Sequence, residues 1–313
     1  MLLYILGRLL AAIPIFLLVA IFIFSLAHLT PGDPAVLLAG DNANPQQVEK
    51  IRERLHLDKP LVVQFGIWAG NALRLDLGDS VYSNQPVTKL IAQRIEPTMV
   101  LAIVTLIITV AIAVPLGVIA AWRANGLIDR AIMAFAVFGF SVPVFVIGYL
   151  LVYYFAVKLK WFPVQGYKPL KDGMLATLHS VTLPSIALAL VFAALIARVT
   201  RAAMLEALNE NFTRTARAKG LGSLRILVVH ALKFAGVPVI TVIGIGFATL
   251  VGGVVVTESV FNIPGIGRLT VDAITRRDYP VVQGVILFFS ALLILINLLV
   301  DLSYVLFDPR VKG

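Results

Sequence analysis

Cysteine is absent from the 313 residues, which excludes disulfides, thiolate metal sites and cysteine nucleophiles together. Charge is scarce: 14% of residues are charged, against about 25% in soluble globular domains. Phosphate-loop, HExxH and GxSxG patterns are missing. Gly244-Ile-Gly246 lacks the third glycine of a dinucleotide fingerprint, and Gly78-Asp-Ser80 and Gly139-Phe-Ser141 lack the last glycine of a nucleophile elbow. His28, His56, His179 and His230 are scattered at non-ligand spacings. No catalytic residues, resident metal or cofactor are expected.

Apolar sequence takes the place of that chemistry, with 59% hydrophobic residues and a mean hydropathy of +0.94. Six runs are long enough for a hydrocarbon core, which takes ~20 helical residues. They lie near 9–29, 98–121, 131–157, 181–203, 237–257 and 281–307. The first also reads as a cleavable signal peptide, with Arg8 before it and Ser25-Leu-Ala27 as a small-residue site. Its apolar stretch exceeds the ~7–15 residues of a signal core, which favours an uncleaved span. The expected fold is an all-α polytopic membrane protein. Its divisions are a first span over 1–30, an extracytoplasmic segment over 31–96, a five-helix core over 97–309 containing a loop at 204–236, and a tail over 310–313.

The net charge of +9 is spread over the connections, so it reads as membrane topology and not as a nucleic-acid footprint. With the N-terminus inside, the inner segments carry twelve basic residues against the acids Asp129, Glu206, Glu210 and Asp308. The outer segments hold fourteen basic residues and twelve acids, and half of those bases lie in one long segment that crosses largely regardless of charge. Both termini are therefore expected inside. Trp122 and Trp161 sit where interfacial anchors belong. In the 31–96 segment, Gln46–Leu57 and Leu61–Leu73 read as short helices and Leu77-Gly-Asp-Ser80 as a turn, together a compact outer cap.

Within the spans, small residues recur every four positions: Ser185, Ala189, Ala193 and Ala197, then Gly244, Ala248 and Gly252. Such stripes serve internal helix packing or contact with a second membrane subunit. Pro14, Pro115, Pro143 and Pro184 each remove a backbone hydrogen bond and are expected to kink their helices. Ionisable residues well inside the spans are nearly absent: Asp301 lies near the inner end of the sixth span, Glu258 at the outer end of the fifth, and Asn297 is the deepest strongly polar residue. That disfavours a self-powered carrier, which keeps such groups at mid-membrane.

Between the fourth and fifth spans lie Arg198, Arg201, Arg214, Arg217, Lys219, Arg225 and Lys233. Topology accounts for a basic inner loop. It does not account for a compact helix over Phe212–Leu221 with Gly220 placed for a left-handed stop, nor for the helical run Leu224–Leu232 that follows.

The loop RTARAKGLGSLRILVVHALKFAGVPVIT resembles the coupling-loop signature of inner-membrane permease subunits of binding-protein-dependent ABC importers, in the dipeptide, oligopeptide and nickel group. Arg214, Thr215 and Ala216 stand where the wider family has Glu-Ala-Ala, Gly220 is its glycine, and Lys233 replaces its later proline. GRLLAAIPIFLLVAIFIFSLAHLTPGDPA, ESVFNIPGIGRLTVDAITRRDYPVVQG and NLLVDLSYVLFDPR extend the resemblance over nearly the whole chain.

The resemblance implies a type I importer permease of six transmembrane helices in a bacterial inner membrane. Its implied partners are a second homologous permease, one or two cytoplasmic ATPases and an extracytoplasmic binding protein, with dipeptides, oligopeptides or similar solutes carried inward. Arg214, Thr215, Ala216, Arg217, Ala218, Lys219, Gly220 and Leu221 would form the helix that docks in the ATPase. Glu258, Asn262, Pro264, Gly265, Asp278 and Tyr279 would face the solute or its binding protein. On residue type alone, Glu258 and Asp278 could attract a peptide amine or pair with Arg276 or Arg277, and Pro264-Gly265 could be a plain turn. The competing readings are an ion-coupled carrier acting alone and a membrane scaffold without a pore.

Overall fold

The computed structural model describes residues 2–29, 36, 44–46, 49, 52 and 57–307. Among these there is no strand, only an isolated bridge between Asp79 and Pro86. The helices are α1 (Leu2–Leu29), α2 (Leu61–Leu73), α3 (Val87–Trp122), α4 (Leu127–Ser141), α5 (Val144–Lys158), α6 (Met174–Asn209), α7 (Asn211–Ala218), α8 (Ser223–Phe234), α9 (Gly236–Gly253), α10 (Val255–Val260), α11 (Ile266–Thr275) and α12 (Tyr279–Phe307). The expected helix over Gln46–Leu57 and the 310–313 tail lie largely outside the described residues.

Among the described residues, three helices (α3, α6 and α12 over Tyr279–Tyr304) are long and apolar enough to cross a membrane. Two further pairs pass that test only together: α4 and α5, bent by 99°, and α8 and α9, bent by 65°. The first bend falls at Pro143, whose missing N–H and fixed φ end α4. Pro14, Pro115 and Pro184, expected to kink their helices, lie inside continuous ones. The last turns of α5, Val152–Lys158, and the middle of α8, Ile226–Ala231, are wound as π-helix.

The chain divides into two compact units. One comprises residues 1–5, 95–268 and 293–313, and α6 is its centre: 67% of its apolar window is buried within the chain, against 17% for α12. The small-residue stripe of α6 explains this. Ser185, Ala189, Ala193 and Ala197 are all buried, and neighbouring backbones close onto the gaps, the usual packing device in lipid. A Cβ on Gly117 of α3 would stand 2.7 Å from the carbonyl of Ala197, and one on Gly139 of α4 would stand 3.0 Å from that of Leu190. The α9 stripe divides: Gly244 packs on Val300, while Gly252 is exposed with nothing within reach.

The second unit comprises residues 6–94 and 269–292. Its core joins Ala20 and Ile23 of α1 to Leu287 of α12, with Phe65 and Trp68 of α2 against them. The rings of Phe24, Phe65 and Trp68 stack edge-on or tilted with centroids 5.5–6.1 Å apart.

Candidate functional site: a capped basic helix and a buried carboxylate turn

α6 ends at Asn209 and α7 begins at Asn211, so one residue, Glu210, is both the C-cap of the first and the N-cap of the second. An eight-residue helix is too short to hold itself in water, and α7 is held by packing. Thr213 is fully buried and its hydroxyl donates to the carbonyl of Ala207 at 2.8 Å. Ala216, one turn on, is buried too. Phe212 stacks on Phe234 with centroids 5.3 Å apart. Beneath lies an apolar cluster built on Met204, Ala207, Leu227 and Ala231, which also takes in Ala121 from the end of α3.

The helix stops by the full Schellman arrangement. Gly220 has φ +76°; its N–H donates to the Arg217 carbonyl at 2.9 Å, and the Leu221 N–H donates to that of Ala216 at 3.2 Å. The face left over carries Arg214, Thr215, Arg217, Ala218 and Lys219, all exposed, with Arg217 and Lys219 at the C-terminal end, where the helix dipole favours cations. Leu221 is half-buried. Of the residues expected to dock, Ala216 therefore faces inward. Leu224, at the start of α8, is 76% exposed.

In the same unit, Glu258 differs from its expected exposed position. Its side chain is fully buried in α10. Thr98 donates to Oε1 at 2.6 Å, and the Arg268 N–H donates to Oε2 at 2.9 Å. The Thr98 hydroxyl in turn accepts the Ile266 N–H at 2.8 Å. Carboxylate and hydroxyl thus satisfy two of the orphan donors of α11, and the negative charge meets the positive end of its dipole. Gly265 is required here, because a Cβ would overlap the Glu258 carboxyl group. Asn262 turns the chain at φ +53° and accepts from the Arg268 guanidinium. Asn262 and Pro264 are exposed, while Gly265 is buried.

The loop before α6 is tied down beside this turn. Gly166 donates to the Phe261 carbonyl at 2.9 Å. Glu96 accepts from the Tyr167 hydroxyl at 2.9 Å and the Leu170 N–H at 2.7 Å. Burial, and then the bond to Glu96, pushes the Tyr167 phenol well above the ordinary tyrosine value.

In the other unit, Asp278 is likewise buried. It accepts from the Ser80 hydroxyl at 2.5 Å, the Val81 N–H at 3.2 Å and the Tyr82 N–H at 3.5 Å. This fixes the turn 79–86 and leaves Tyr82 exposed beneath the Arg276 guanidinium, 3.9 Å from its ring centroid. Tyr279 is half-buried. In these arrangements Glu258 and Asp278 hold backbone turns. Sequence reasoning missed Thr98 and Ser80 because they lie 160 and 198 residues from their partners.

Residues 113–313 match the family described as binding-protein-dependent transport system inner membrane component, and residues 1–102 match the N-terminal region of the same membrane component. The "Probable peptide ABC transporter permease protein y4tP" of Sinorhizobium fredii is 52% identical over 309 residues, covering 99% of each chain. The glutathione transport system permease protein GsiC of Escherichia coli K12 is 43% identical, covering 100% of this chain and 99% of that one. An inward-facing structure of the MetNI methionine ABC transporter superposes with a TM-score of 0.55 at 19% identity, over 68% of this chain and 93% of that chain, a likeness of fold. Matches to both parts of the membrane component, and relatives alike from end to end, establish that the chain belongs to the family of inner membrane components of binding-protein-dependent transport systems.

Proposed function

We propose that the chain is one permease half of an ATP-driven importer for peptide-like solutes. α7 receives movement from a separate cytoplasmic ATPase. The observation that carries this is the construction of α7: a short basic helix, stopped by a Schellman cap, seated on a core that includes α3, α6 and α8, with its cationic face exposed. A loop that only joined two spans would need neither a Schellman stop nor an inward-facing Thr213. A docking lever needs both, because a floppy connection would absorb displacement instead of passing it on. Arg214, Arg217 and Lys219 steer docking, though exposed charges contribute little individually.

The full assembly is a heterodimer with a second permease, one or two ATPases and an extracytoplasmic binding protein, with six spans and both chain termini in the cytoplasm. Peptides are the solute class by the relatives' names, and glutathione is itself a small peptide. The exposed residues Asn262 and Pro264 remain the part of the buried-carboxylate turn that can meet solute or binding protein.

Crosslinking tests the reading. The chain has no cysteine, so a single Ala218→Cys substitution gives one reactive thiol, on the exposed face of α7. A short crosslinker in intact cells is expected to capture a nucleotide-hydrolysing subunit there. No capture, together with gradient-driven uptake by the purified chain, would replace this reading with that of an ion-coupled carrier.

A further inference from the structure

Asp129 and Arg201 form a part-buried ion pair that neither α7 nor the carboxylate turn uses. Arg201 donates through Nε to Oδ1 at 2.5 Å and through Nη2 to Oδ2 at 2.6 Å, a two-pronged fork. The Asp129 side chain is 4% exposed and that of Arg201 is 24% exposed. Oδ2 also accepts the N–H of Asn125 at 2.9 Å, and Asn125 stands at φ +64°. Gly126 completes the turn; a Cβ there would meet the Arg123 carbonyl at 2.9 Å. One carboxylate thus fixes both the connection from α3 to α4 and the seat of α4 on α6.

We infer that this ion pair positions the start of α4 on α6, so that displacement entering at α7 reaches α4 in register. The inference rests on the coupling reading above. Arg201 lies on the same uninterrupted helix that Glu210 joins to α7. Movement of α7 therefore reaches Arg201 through one extended residue, Glu210, and then along continuous helix. The apolar cluster under α7 takes in the ends of α3, α6 and α8 but no residue of α4. α4 instead meets α6 closely at Gly139, against the Leu190 carbonyl, and at Asp129. With the ion pair gone, the packing of α4 along α6 would remain, but its first turn would lose the contact that fixes its register.

Stability alone does not call for the pair. Replacing a buried ion pair with apolar residues of similar volume is often neutral or stabilising, because desolvation offsets the attraction. Apolar contacts tolerate sliding, whereas a planar guanidinium on a carboxylate fixes distance and angle together. The gain from the pair is therefore register, and register matters where motion is transmitted.

The test uses the complete complex in proteoliposomes and reads solute transported per ATP hydrolysed. The double variant Asp129→Leu with Arg201→Met is expected to stay folded in detergent and to hydrolyse ATP. Its transport per ATP should fall about ten-fold, within the range of ordinary coupling between sites. Arg201→Lys, which keeps the charge and loses the fork, should also lower the ratio. If both variants transport as much per ATP as the parent, the inference is overturned. Loss of ATPase activity and transport in parallel, with a lowered melting temperature, would show a purely structural pair and overturn it equally. Capture of the ATPase through Ala218→Cys is independent of this pair, so failure of the inference and failure of the coupling reading give different results.

Discussion

Replacing Gly220 isolates a backbone effect in the proposed coupling helix. The residue stands at φ +76°, yet a Cβ built there meets nothing within 4 Å. Bulk inside the chain is thus irrelevant, and the penalty is that of a left-handed conformation, roughly 1–2 kcal/mol for an ordinary L-residue. That shifts the population of the capped helix about 5- to 30-fold. Losing the stop would also release the Gly220 and Leu221 N–H groups from the carbonyls of Arg217 and Ala216. An eight-residue helix has no reserve against such a loss. The expected order of damage is Gly220→Asn least, since asparagine visits this region, then Gly220→Ala, then Gly220→Val, whose branched Cβ suits it worst. Reconstituted complex should lose solute uptake in that order while the chain inserts in the membrane at unchanged levels. Equal uptake by all three variants, or damage that follows side-chain volume with asparagine worse than alanine, would refute the reasoning.

Gly265→Ala would drive a methyl group into the buried Glu258 carboxylate, and the melting temperature in detergent should fall by more than for Pro264→Ala at the exposed neighbouring position. Glu258→Ala strips the acceptor from Thr98 and from the Arg268 N–H, at about 1–3 kcal/mol for a donor left unsatisfied; the same melting assay should place Glu258→Gln between it and the parent. Asp278→Ala releases the Ser80 hydroxyl and the Val81 N–H, so limited proteolysis should cut near Tyr82 faster than in the parent. Tyr167 holds its proton above the ordinary tyrosine value. Its contribution is full below that value, about 10, and is lost as pH rises toward the folded value. Trp161 fluorescence should therefore report loosening of the loop above that pH in the parent, with Tyr167→Phe showing no such step.

The local architecture was legible where local chemistry decides it. The second cap helix has the expected bounds, Leu61–Leu73, because an apolar run follows Pro60 directly. The basic helix expected over Phe212–Leu221 forms over Asn211–Ala218, with Gly220 acting as its stop. Long-range chemistry was hidden. Nothing in the spacing of Glu258 or Asp278 points to Thr98 or Ser80, and by residue type alone each acid is as suited to an arginine partner or a solute as to a buried turn. Their burial follows from backbone donors at a helix start and in a tight turn, which a sequence shows only as small residues and turn formers. The Asp129–Arg201 pair was hidden likewise, since both residues count as ordinary inner-segment charges until α4 is laid on α6. Pro143 marked a bend whose angle of 99° depends on how the following helix packs.

The single residue between α6 and α7 has a mechanical consequence. The 36 residues of α6 make a rod of roughly 54 Å at about 1.5 Å per residue. Turned through about 5° at the Glu210 end, such a rod sweeps its far tip by roughly 5 Å, near one helical pitch. A small rotation in a motor outside the bilayer would thus be magnified into a stroke wide enough to part or close neighbouring side chains at the opposite face.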